Sequence, residues 1–272
     1  MRLPLITAVV FGCLLFGCYE ERVGCLDPDA ANYDLLADVA CPDCCTYPTI
    51  SVRVTPSWED SAVVVGKTYS DGAGNDFQIV RFRYYLGDLH LISAAAELPL
   101  PLRPVEALEL RDGDTLSTSI NGNYLLASTS TVTTTVGTLQ TGDATINGLA
   151  GNYGLPDRYR WVIPGSLPSG DALRTQPGRL NYRDGRGYVQ ARLEYTLTPG
   201  GDTLSVSSYG SVPFLLDFGQ DLQPLRGFDL RIDLQAQLAD LLGEIDLAAD
   251  SATVAAGLSQ PVDFLIPVGL SQ

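Results

Sequence analysis

From Thr49 onward the chain consists of short runs in which apolar and polar residues alternate, a period of two that suits half-buried β-strands and little else. Ile50-Ser51-Val52-Arg53-Val54 alternates in this way, and so does the longer run over 77–86. Further runs rich in Val, Thr, Tyr and Phe lie at 124–127, 131–139, 159–163, 188–196, 203–207, 212–218 and 228–234. Turn clusters such as Asp71-Gly72-Ala73-Gly74-Asn75, Arg111-Asp112-Gly113-Asp114 and Pro199-Gly200-Gly201-Asp202 separate them. Many short strands punctuated by such turns predict an all-β domain, an antiparallel β-sandwich. One short helix is expected near 234–242, where Leu234, Leu238, Leu241 and Leu242 recur at helical spacing and Gly243 supplies a stop.

Ahead of this domain, the first seventeen residues read as an export signal. Residues 5–16 are apolar and uncharged, with Arg2 just before them. About a dozen apolar residues are too few to span a ~30 Å hydrocarbon core but fit the core of a secretory signal. The run ends in Leu15-Phe16-Gly17-Cys18. That site resembles the bacterial lipobox, in which Cys18 becomes the acylated first residue. An ordinary secretory signal with an incidental Cys18 is the competing reading. The expected layout is a lipoprotein signal peptide at 1–17, an acidic Cys-rich linker module at 18–48 and the sandwich at 49–272. Lipid on Cys18 would hold the protein in the cell envelope as an outer-membrane lipoprotein, facing the periplasm or the surface.

The chain has 32 acidic and 17 basic residues, a net charge of −15. That field repels nucleic acid, so no nucleic-acid partner is expected. Beyond Cys13 and Cys18, the cysteines Cys25, Cys41, Cys44 and Cys45 fall within 21 residues, and none follows. In an oxidising compartment an even, local cluster reads as two disulfides. A bridge between neighbours is strained, so Cys44 and Cys45 are each expected to pair elsewhere. Either Cys25 joins Cys44 and Cys41 joins Cys45, or Cys25 joins Cys45 and Cys41 joins Cys44. A four-thiolate zinc site is the other use of the Cys41-x-x-Cys44 spacing. The surrounding segment has no apolar period, and bridges of roughly 2–4 kcal/mol each would compensate for its missing core. Its Asp27, Asp29, Asn32, Asp34 and Asp38 are hard oxygen donors at short spacing, with Asp27, Asp29 and Asp34 the expected calcium contacts. Asp-rich turns also form without metal.

Two regions carry a family resemblance. Gly24-Cys25-Leu26-Asp27-Pro28-Asp29-Ala30-Ala31-Asn32-Tyr33, closing with Cys44-Cys45-Thr46-Tyr47-Pro48, resembles modules frequent in exported proteins of Bacteroidota. After it come Gly66-Lys67-Thr68-Tyr69, Asp76-Phe77-Gln78-Ile79 and Arg81-Phe82-Arg83-Tyr84-Tyr85-Leu86-Gly87-Asp88-Leu89-His90-Leu91. These resemble the opening of MbnP-like domains, β-sandwich proteins named for a methanobactin-associated, copper-binding periplasmic member. Gly187-Tyr188-Val189-Gln190-Ala191-Arg192-Leu193-Glu194-Tyr195 is similar to a second family segment. The resemblance covers about 50–272 and implies a binding function, of a metal or of a partner such as a haem peroxidase-like enzyme. This chain departs where the family carries Met and Trp before Gly-Tyr, having Leu180-Asn181-Tyr182-Arg183-Asp184-Gly185-Arg186 instead.

His90 is the one histidine and the initiator the one methionine. Copper selects imidazole, thiolate and thioether donors, so copper is not expected, and no cofactor is required by the residues. His90 falls on the face of Asp88 and Ile92, where a metal ligand or acid/base group competes with an ordinary strand-surface histidine. Asp229 and Asp233 have the look of paired acids, and equally of a solvated strand face. Trp58, Trp161, Tyr84, Tyr85 and Tyr159 would form a sugar platform if exposed and core if buried. No Gly-x-Ser-x-Gly elbow is present. These readings predict a non-enzymatic, lipid-anchored binding protein; a surface glycan-binding or adhesive lipoprotein is the alternative.

Overall fold

The structure, a computed structural model of the chain, describes residues 20–93, 97–99, 103–140, 142–174, 181–183, 185–260 and 263–272. Cys18 and the apolar run before it lie outside the described residues. Two-residue strands β1 (Val23–Gly24) and β2 (Val39–Ala40) pair in parallel in the N-terminal segment. The main domain opens with β3 (Thr49–Trp58), β4 (Ser61–Ala62), β5 (Thr68–Ser70) and the 18-residue β6 (Asp76–Ser93). β7 (Glu97–Pro99) turns back on β6, β8 (Pro104–Arg111) and β9 (Asp114–Asn121) make a hairpin, and β10 (Leu125–Ser128) returns to β6. Next come β11 (Val132–Thr138), β12 (Ile146–Gly154), and the short pair β13 (Tyr182–Arg183) and β14 (Gly187–Tyr188). β15 (Ala191–Thr196), β16 (Leu204–Ser208), β17 (Ser211–Leu222) and β18 (Leu230–Gln237) follow. Helices α1 (Leu238–Leu242) and α2 (Ser251–Gly257) precede β19 (Leu265–Ser271).

The strands form a sandwich. In one sheet β16, β15, β6, β12 and β17 are neighbours in that order, with β5, β7 and β10 also on β6. The other sheet runs β11, β3, β18, β19, with β4 on β3. Ile50, Val52, Val54, Ile232 and Leu234 from the second sheet meet Ile79, Phe82, Tyr84, Leu89 and Leu91 from the first in a single apolar core. Pairing is antiparallel within both sheets except between β3 and β18, which run parallel from Ile50 opposite Leu230 to Ser57 opposite Gln237. A parallel pair needs a long crossover, and here the entire first sheet lies between the two strands in sequence.

Some sequence expectations shift. Leu234 belongs to β18, and the helix starts only at Leu238. Leu230, Ile232, Leu234 and Ala236 are all fully buried, so the period of two outweighs the helical spacing up to that point. Residues 159–163 are not a strand: a 3-10 turn covers Asp157–Tyr159, and only Val162 bridges, to Glu109. β12 shows no alternating pattern because of its glycines, Gly148, Gly151 and Gly154. A Cβ on Gly148 would sit 2.6 Å from the Leu216 carbonyl oxygen, and one on Gly151 would sit 2.9 Å from that of Gly87. Central position between β6 and β17 leaves no room for side chains there.

The N-terminal segment is docked on the sandwich. Asp29 accepts from the Gly142 amide at 2.8 Å and faces Arg226 at 3.5 Å, while Arg226 also pairs with Asp143. Cys25 and Cys45 form a disulfide. Cys41 and Cys44 are free thiols, so the expectation of two bridges is corrected to one. The Cys44 thiol turns to the Cys41 carbonyl oxygen, 2.9 Å away, within the 3-10 turn Pro42–Cys44. The bridge also removes two of the four thiolates that a zinc site would require.

Candidate functional site

Asp88, at an irregularity within β6, organises the candidate site. In β6 the register against β12 passes from His90 opposite Ala150 to Gly87 opposite Asn152, so Asp88 and Leu89 share one partner and form a bulge. Asp88 there has φ 55°, a left-handed conformation that Asp tolerates better than most residues. Arg158 donates to both Asp88 oxygens, at 3.1 and 2.5 Å, and Asn123 donates to the same carboxylate at 3.4 Å. The Arg158 guanidinium holds the Asp88 carboxyl below the usual carboxylate range, against the opposing effect of burial.

Arg158 begins the segment that carries the site. Tyr159 turns inward, fully buried, and donates to the Asn121 carbonyl at 3.1 Å. Burial pushes its hydroxyl pKa up. The amide of Leu110 donates to the Trp161 carbonyl at 2.9 Å, and that of Ile163 to Leu108 at 2.7 Å, which fastens the segment to β8. With Tyr159 and Val162 fixed inside, Asp157, Arg160 and Trp161 face solvent.

Two cavities result. One of about 290 Å³ is lined by Leu155, Asp157, Arg160, Arg186, Tyr188 and Tyr209, among others. The second, about 490 Å³, is lined by Leu110, Arg111, Asp112, Asp157, Arg158 and Trp161. Asp157 lines both, so they adjoin. Arg186 stacks 4.2 Å over the Tyr209 ring, and Arg160 lies 4.9 Å over Trp161 while donating to the Gly185 carbonyl. Gly187, at φ 86°, lets the backbone pass against Arg160, where a Cβ would come within 2.9 Å. Among the described residues neither Arg160 nor Arg186 is ion-paired, whereas Arg158 and Arg111 are tied to Asp88 and Glu109.

The residues singled out from sequence distribute differently. Trp58 and Tyr84 belong to the sandwich core, Tyr85 and Tyr159 are buried in a second apolar cluster with Val105, Tyr124 and Tyr188, and Trp161 alone of that set is open, at 42% exposure. His90 is half-buried between the core residues Leu89 and Leu91, its Nδ1 2.9 Å from the Asp88 carbonyl oxygen. Asp27 accepts from the Tyr47 hydroxyl and the Asp29 amide, which lower its pKa; Asp34 accepts from Leu36 and pairs with Arg22. Together with Asp29, these carboxylates are turned to separate partners. No three His, Cys, Asp or Glu side chains gather as a metal would require among the described residues. The calcium expectation for Asp27, Asp29 and Asp34 therefore finds no assembled ligand set. Asp229 accepts from Thr49 and Asp233 from Arg231, so the paired-acid reading finds both engaged. Sequence reasoning missed Arg160, Arg186 and Asp157; the only signal was basic residues beside Trp161 and Gly187.

Comparison with known proteins identifies the family of the chain. Among solved structures, MbnP from Methylosinus trichosporium is 14% identical, with a TM-score of 0.41 over 77% of this chain and 82% of that one. No curated protein matches the chain. The MbnP family profile matches residues 47–260, most of the chain and nearly all of the sandwich, and the chain belongs to the MbnP family.

Proposed function

We propose that this MbnP-family protein is a non-enzymatic binding protein of the cell envelope, anchored through lipid on Cys18. Its ligand enters the cleft beside the Asp88–Arg158 pair and is not a copper ion. One observation carries this reading: two arginines without a carboxylate partner among the described residues, Arg160 over the exposed Trp161 and Arg186 over Tyr209, line a cleft in a chain of net charge −15. Unpaired guanidiniums on a rigid frame are suited to recognition, while the one imidazole is directed to the backbone. A nucleophile with an adjacent base, as acyl-transfer or hydrolytic catalysis needs, has no counterpart around this cleft. A haem peroxidase-like envelope partner, implied by the family resemblance, is compatible with the same role.

The export signal motivates a direct test. Fractionating cells should place the wild-type protein with membranes, and Cys18→Ala should release it or block its processing. Stable retention needs more than one acyl chain, so the mature N-terminus should carry several. Wild-type protein recovered in the soluble fraction contradicts the anchor.

A further inference from the structure

We propose that the cleft binds an acidic saccharide, its carboxylate-bearing ring in the Arg160–Arg186 cavity and a neighbouring neutral ring across Trp161. This rests on reading the protein as one that binds a non-metal ligand.

Charge separates the two cavities. Arg160 and Arg186 against Asp157 leave the first with one net positive charge. In the second, Arg111 and Arg158 are already paired with Glu109 and Asp88, which leaves Asp112 and Asp157 to make that space acidic. The ligand should therefore carry its anionic group in the first cavity and none in the second.

Arg186 sits 4.2 Å over the Tyr209 ring and lines the first cavity, where its N–H edge can meet an acceptor. A carboxylate satisfies such an edge through both oxygens. Asp157 lines the same space and can only accept hydrogen bonds when ionised, so the ligand must also bring donors. Sugar hydroxyls provide them. An amino acid would provide an ammonium instead, and place it among guanidiniums. Beyond Asp157, the exposed ring of Trp161 presents an apolar face of the size that a second sugar ring covers.

The frame is rigid where it needs to be. Asp88 fixes Arg158, Tyr159 anchors the segment in the second apolar cluster, and β8 holds the Trp161 backbone. Arg160 and Trp161 are thus set before a ligand arrives, which reduces the ordering cost of binding.

The test is calorimetric titration of the purified protein with glucuronosyl-glucose, its methyl ester and cellobiose, which share a shape and differ in charge. Saturable binding is expected for the acid, weakened about tenfold in the ester and in Arg186→Gln, as loss of a charge-assisted pair implies. Trp161→Ala should weaken it several-fold. Both side chains are exposed, so circular dichroism should report intact folds. Equal affinity for the acid and cellobiose, or an acid affinity unchanged in both variants, overturns the proposal. So does absence of binding to all three sugars; if copper also fails to bind, only the ligand class falls, whereas tight copper binding removes the non-metal reading beneath it.

Discussion

Asp88, in a left-handed conformation within the longest strand, grips Arg158 through both carboxylate oxygens, at 3.1 and 2.5 Å, across 70 residues of sequence. A single bulge residue thereby fixes the turn that carries Asp157, Arg160 and Trp161.

Two substitutions separate conformation from charge. Asp88→Asn keeps the backbone preference and loses the ion pair, so it should lower the melting temperature modestly at neutral pH. The folded carboxyl pKa lies below its ordinary value, so the ion pair stabilises above the unfolded pKa of about 3.9 and fades as pH falls through the folded value. The gap between wild type and Asp88→Asn should accordingly close in acid below about pH 4. Asp88→Ala adds left-handed strain of about 1–2 kcal/mol and should be the less stable variant. A gap independent of pH contradicts the assigned role.

The glycines of β12 should be intolerant of a methyl group. Gly148→Ala would place a Cβ 2.6 Å from the Leu216 carbonyl oxygen, which is backbone and cannot swing away. Denaturant unfolding should show a loss of roughly 1–3 kcal/mol, as overpacking usually costs. Gly165→Ala, with nothing within 4 Å, serves as the control and should be near neutral.

Alkylation of the unreduced protein should label Cys41 and Cys44 and leave Cys25 and Cys45 unmodified. The bridge closes a 20-residue separation, so Cys25→Ala with Cys45→Ala should destabilise the N-terminal segment by about 2–4 kcal/mol. The sandwich core, assembled from residues after Thr49, should still fold. Four protected cysteines in peptide mass spectrometry would restore the second bridge.

The sequence made the sandwich legible wherever one face of a strand is buried and the other is wet. β3 and β6 follow this rule, and Ile50, Val52 and Val54 are core as their alternation implies. Where packing overrides propensity the pattern fails. β12 is crowded on both sides and built from glycines that no strand signal favours. The run 159–163 has the composition of a strand, but Tyr159 is the last residue of a 3-10 turn and serves as an anchor. Of the site itself, Trp161 was visible as an aromatic, though not as the exposed member of its set. Arg160 and Arg186 acquire meaning only from what they lack among the described residues, a carboxylate partner, and that is a property of three-dimensional placement.

The central claim, that this MbnP-family chain binds something other than copper, is tested most directly by titrating the metal-stripped protein with Cu(II) after blocking Cys41 and Cys44. In the mature protein, from which Met1 and Cys13 are removed with the signal and in which Cys18 carries the lipid, His90 is then the one soft or borderline donor left beyond the disulfide and that acylated sulfur, and a single imidazole does not make a tight site. No saturable equivalent should appear. One tight equivalent that disappears in His90→Ala would contradict the account.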